Sequence, residues 1–205
     1  MTSHARCAVA AGCSLWLLAA LSAAAEGPLV YVVSLSSGAG ASASTKLAQE
    51  IRAALGHRGI RTLAEPTGPN AAALEEITSR GKAAGAQVSV AIRLHPVGGA
   101  CVTARTPPET ASPQAPSAAG SGLGAFAKEA ELAERYQASV ALAQGLSKLG
   151  RPCKGSPGWE SDYFLKEAAG ATVLLEVSGA QEAFAESAAD AIAVWLGERG
   201  HRTRG

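Results

Sequence analysis

The sequence predicts an α/β domain: a mostly parallel central sheet with helices on both faces. Three observations carry this. Short aliphatic and β-branched runs recur along the chain, at Leu29–Leu35, Val88–Ile92 and Ala171–Leu175. They are apolar almost without interruption, which marks strands buried on both sides rather than on one. Between them lie longer stretches with apolar residues at helical spacing, and strands alternating with helices favour parallel pairing through crossover connections.

The elements follow in order. Leu29-Val-Tyr-Val-Val-Ser-Leu35 is rich in strand formers and makes the first strand. Ser36-Ser-Gly-Ala-Gly40 reads as a flexible turn. Leu47, Ala48, Ile51, Ala54 and Leu55 recur on one helical face, and Gly59 ends that helix. Ile60–Leu63 is a short strand. Pro66–Asn70 is a loop, with Asn70 as N-cap of a helix that carries Leu74 and Ile77 toward Gly85. Val88–Ile92 is the next buried strand, and Cys101-Val-Thr103 suggests another. Thr106–Gly124 is dominated by Pro, Ala, Ser and Gly, with Glu109 its one charge, so it reads as a low-complexity loop inserted in the domain. A long helix over 125–149 places Leu132, Tyr136, Val140, Ala143 and Leu146 on one face. Gly150–Gly158 is a second loop, and Tyr163-Phe-Leu165 a short apolar patch. The strand Ala171–Glu176 follows. A last helix over 181–198 buries Phe184, Ala188, Ile192, Trp195 and Leu196.

Residues 1–25 read as a secretory signal peptide: a weakly basic start at His4 and Arg6, an apolar run from Cys7 to Leu21, then Ser22-Ala-Ala-Ala25 before the cut. That run is about 15 residues, short of the ~20 that span a bilayer. Residues 26–199 form one domain, and 200–205 a polar tail. The expected location is therefore the periplasm or cell envelope, without a stable membrane span. Without Arg6, 17 basic residues face 17 acidic ones, and no basic block invites nucleic acid or an anionic membrane. Cys101 and Cys153 remain; the sequence leaves open whether they pair or stay free thiols.

The residue that points to chemistry is Glu176. It closes a buried strand, and ligands of open α/β sheets bind at the carboxyl ends of their strands. A carboxylate placed there is a candidate general base. No Gly-x-Ser-x-Gly elbow surrounds Ser36, Ser37 or Ser178. Gly38-Ala-Gly40 is too short for a dinucleotide fingerprint or a P-loop. His57 sits at a helix end, where a cation suits the helix dipole. Glu50, Glu160 and Asp162 read as solvated, and His201 lies in the polar tail.

Four segments together resemble the bacterial zinc-dependent N-acetylmuramoyl-L-alanine amidases, which cut the bond between glycan and stem peptide in peptidoglycan. Leu35-Ser-Ser-Gly-Ala-Gly-Ala41 is similar to that family's Leu-Asp-Pro-Gly-His-Gly-Gly, and the stretch from Leu47 to Gly59 fits the helix after it. Ala86-Gln-Val-Ser-Val-Ala-Ile-Arg93 resembles Ala-Asp-Leu-Phe-Ile-Ser-Ile-His. Ala171-Thr-Val-Leu-Leu-Glu-Val-Ser178 resembles Pro-Ala-Val-Leu-Val-Glu-Leu-Gly, with Ser139–Ala143 matching the helix upstream of it. The family holds zinc with His, Glu and His, and the metal lowers the pKa of its bound water toward ~7 for a Glu base to use. The resemblance puts the base on Glu176. It puts the first histidine on Ala39, the second on Arg93, and the glutamate among Gly40–Ser44, where there is no acid.

The resemblance therefore implies an amidase-like envelope protein without zinc ligands, hence without cofactor or catalysis, that binds peptidoglycan or an envelope protein. Arg93 is expected to pair with Glu176 where zinc and base once stood. Two alternatives stand beside this. One is an active zinc amidase with a rebuilt metal site, using His95 two residues beyond Arg93; the other is a structural or regulatory domain with no ligand.

Overall fold

The structure is a computed structural model of the 205-residue chain, and it describes residues 27–35, 40–63, 74–94, 99–108, 123–154, 159–179 and 183–202. The signal-peptide reading, the Asn70 cap, the Ser36–Ala39 turn and most of the low-complexity loop lie outside the described residues.

Among the described residues, five strands form one sheet: β1 (Leu29–Ser34), β2 (Arg61–Leu63), β3 (Val88–Leu94), β4 (Cys101–Arg105) and β5 (Ala171–Ser178). Their spatial order is β2-β1-β3-β5-β4. All neighbours pair in parallel except β4, which lies antiparallel on the edge against β5. Among the described residues, five helices flank it: α1 (Ala41–His57), α2 (Leu74–Ala83), α3 (Leu123–Ser147), α4 (Trp159–Glu167) and α5 (Phe184–Arg202). The predicted fold class is thus the observed one.

Alternation along each strand splits the core in two. Val30, Val32, Val88, Val90, Ile92, Val173, Leu175 and Val177 point to α1, α3 and α5. Tyr31, Val33, Ala91 and Leu174 point the other way, against Ile77 of α2 and Phe164 and Leu165 of α4. Both faces of the central strands are closed, so their sequences need no polar alternation. Gly59, at φ 71°, terminates α1 as expected, with the Ile60 N–H returning to the Leu55 carbonyl at 3.1 Å. Gly170 turns α4 into β5 at φ 65°, and a Cβ there would stand 2.1 Å from the Gln87 carbonyl oxygen. That oxygen accepts the Ala171 N–H at 2.9 Å, and the Gln87 N–H bonds Leu29 O at 2.9 Å. Only glycine lets β5 start this close to β3.

Three expectations are corrected. Tyr163-Phe-Leu165 is not an isolated patch but the buried side of α4, which closes the second face over β5. The stripe that α3 buries is Ala138, Leu142, Ala143 and Leu146 together with Ser139, rotated from the expected one, and Leu132 is exposed. Leu196 is half-buried, while Phe184, Ala188, Ile192 and Trp195 are buried as expected.

Candidate functional site

The sheet order reverses between β1 and β3, so the ligand-binding crevice of an open α/β sheet falls at the carboxyl ends of β1, β3 and β5. These ends carry Ser34, Arg93 and Glu176. Ser34 is fixed by a hydrogen bond to the hydroxyl of Ser44, which lies in the first turn of α1 and itself donates to Ala41 O at 3.0 Å. This ties the strand end to the helix start.

Glu176 lies one residue before the final apolar position of β5, on the face shared with Leu174 and Ala91. Its side chain is 4 % exposed. In the parallel ladder its Cα partner is Arg93 on β3, and in the antiparallel ladder it is Thr103 on β4. Arg105 stands two residues beyond Thr103 on the same face of β4. Its Nε donates to Glu176 Oε2 at 2.6 Å. Glu176 thus has an ion-pair partner in Arg105, whose side chain is 27 % exposed. Arg93 remains beside the carboxylate as its neighbour across the ladder. Sequence reasoning missed Arg105 because its strand runs antiparallel and 71 residues separate the partners. The available signal was the alternation Cys101, Thr103, Arg105, which puts all three on one face.

A covalent strap holds this edge. Cys101 and Cys153 form a disulfide with a Cα–Cα distance of 5.0 Å, which settles the question that the sequence left open. The Cys153 N–H donates to Thr103 Oγ1 and the Val102 N–H donates to Arg151 O, both at 2.7 Å. Cys153 Sγ lies 3.6 Å from the Glu176 carbonyl oxygen. Residues 151–153 thus cover the outer side of β4, an otherwise unpaired edge. A cleft of about 540 Å³ opens beside the strap, with Cys101, Arg151, Ser178, Gly179, Phe184 and Ser187 in its wall.

Among the described residues, no three His, Cys, Asp or Glu side chains come together to hold a metal. Gly40–Ser44 carries no acid, both described cysteines are in the disulfide, and arginine at position 93 cannot ligate a cation. These residues do not fit a zinc centre of the His-Glu-His type. Ala39 and His95 lie outside the described residues. His57 is the last residue of α1, as its helix-end reading required. Glu160 and Asp162 fall within α4. No described helix is long and apolar enough to cross a membrane.

No protein-family profile matches the chain, and no curated protein matches it in sequence. Solved structures do match. The N-acetylmuramoyl-L-alanine amidase of Clostridium difficile 630 aligns with a TM-score of 0.52 at 12 % identity, over 85 % of this chain and 97 % of that one. The N-acetylmuramyl-L-alanine amidase Ami1 of Mycobacterium smegmatis aligns with a TM-score of 0.50 at 15 % identity, over 84 % of this chain and 98 % of that one. The apo form of Ami1 from Mycobacterium abscessus gives 0.50 at 11 % identity, over 83 % and 99 %. The single domain has the fold of an amidase catalytic domain.

Proposed function

We propose that this chain is an exported, non-catalytic relative of the N-acetylmuramoyl-L-alanine amidases that binds peptidoglycan in the cell envelope through the crevice at the strand ends. One observation carries this reading. The carboxylate at the general-base position is buried and bonded by Arg105, with a second arginine across the ladder. A base of this kind needs an activated water, and the metal that would activate it needs ligands. Here Oε2 is already taken by a guanidinium, and the second histidine's position holds Arg93. Such an arrangement leaves the carboxylate no activated water to use, so the crevice binds and cleaves nothing.

The test uses purified sacculi. The mature chain is expected to sediment with them, and no stem peptide is released with or without added zinc. Peptide release after zinc loading overturns the reading in favour of an active amidase with a rebuilt site. Absence of both binding and release leaves an envelope domain with no ligand.

A further inference from the structure

A second cavity, apart from the strand-end crevice, has no part in the reading above. It measures about 250 Å³ and is walled by Pro107, Pro108, Leu132, Tyr136 and Leu165, with Arg135 and Lys166 as its two cations. Leu132 is one of two large apolar side chains that stand exposed among the described residues. Cavities of this character, mostly apolar with a few fixed polar groups, are where small ligands bind.

Arg135 supplies the polar group. It is half-buried on α3, and its Nη2 donates to Leu165 O at 3.0 Å and to Thr172 Oγ1 at 3.2 Å. The backbone carbonyl of Arg135 accepts the Ser139 hydroxyl at 2.8 Å, and Ser139 Oγ accepts the Thr172 N–H at 2.9 Å. The guanidinium is therefore pinned between α3, α4 and β5. Its Nε is buried and has no hydrogen-bond partner. A buried donor without an acceptor is uncommon in native proteins and asks for an explanation. Burial also pulls the pKa of Arg135 below its ordinary value, with Glu167 and Glu131 acting in the opposite sense from nearby. Both Nη2 hydrogens are given to Leu165 O and Thr172 Oγ1, so what the cavity offers an anion is the charge of Arg135 beside the Lys166 ammonium, and a carboxylate suits that pair. The size and the apolar wall then call for a short alkyl or single-ring body.

We propose that this cavity is a binding site for a small apolar carboxylate, its acid group on Arg135 and Lys166 and its apolar body against Leu132, Tyr136 and Leu165. The site is independent of the crevice at Glu176.

Phenylacetate is the probe, with phenylacetamide as its neutral counterpart, each titrated into the full mature chain and followed by NMR. Phenylacetate should shift the signals of Leu132, Tyr136 and Leu165 saturably, and the amide should bind at least tenfold more weakly. Leu132→Glu, at an exposed position, should abolish binding of the acid and leave the melting temperature unchanged. Arg135→Met should do the same if it folds; if it does not, Leu132→Glu decides. Equal binding of acid and amide overturns the proposal, as do absent saturation and shifts confined elsewhere. So does binding that appears only once residues 110–121 are deleted, since the chain itself would then be the occupant.

Discussion

Arg105→Met leaves Glu176 as a buried carboxylate, 4 % exposed, without the guanidinium that bonds it at 2.6 Å. Breaking one side of a buried ion pair costs ~3–5 kcal/mol, because the remaining charge is left uncompensated. Arg105 is 27 % exposed, so solvent already screens part of the interaction, and about 2–3 kcal/mol is the reasonable loss. For a domain of this size each kcal/mol moves the melting temperature by roughly 2–4 °C, so the drop should be roughly 5–10 °C. Glu176→Leu alone should also destabilise the protein, by removing the acceptor that Arg105 bonds. The double variant Arg105→Met/Glu176→Leu removes both charges together and should recover most of the loss. Urea melts of the four proteins give the coupling energy directly, and at least ~1.5 kcal/mol is expected. The same cycle with Arg93→Met in place of Arg105→Met measures what the neighbour across the ladder adds. Additive losses for Arg105 and Glu176 would refute the pairing.

Other perturbations test the frame around the site. Replacing both Cys101 and Cys153 by serine opens a closure spanning 52 residues, for which chain entropy gives about 4 kcal/mol, measured as a lower denaturation midpoint against the oxidised protein. Gly170→Ala forces a Cβ to 2.1 Å from Gln87 O at a φ of 65°, so about 3 kcal/mol or more should be lost; an unchanged melt would disprove the tight approach of β5 to β3. Phe164→Ala empties a fully buried site in α4 and should cost ~3–5 kcal/mol, whereas Val194→Thr, 61 % exposed, should stay within ~0.5 kcal/mol in the same urea melts.

Much of the fold was legible because its central strands are buried on both faces. Leu29–Val33, Val88–Ile92 and Ala171–Leu175 carry no polar alternation to confuse with a surface helix, and β1, β3 and β5 begin where those runs begin. The helix after β1 was legible from the spacing of Leu47, Ile51 and Leu55 and from Gly59. Direction was not legible for β4, since Cys101-Val-Thr-Ala-Arg105 alternates alike in a parallel or an antiparallel strand. The helix α4 was missed because it spans only 9 residues and shows just a short apolar cluster. In α3, a 25-residue helix rich in alanine, several faces are nearly as apolar as one another, and tertiary contacts chose Ala138 and Leu142 over Leu132 and Tyr136. The position of Glu176 was readable from its strand. Its partner was not, because Arg105 reaches it only through the pairing of β4 with β5, a contact that local pattern does not encode.

The central claim is that the strand-end crevice keeps an amidase base without the metal that base would serve. Zinc content of the chain from residue 26 onward, stripped, reloaded with zinc and dialysed, tests this most directly. The account predicts well under one zinc per chain and no change in melting temperature on reloading. One tightly held zinc per chain, with a melting temperature that rises on its binding, would contradict it.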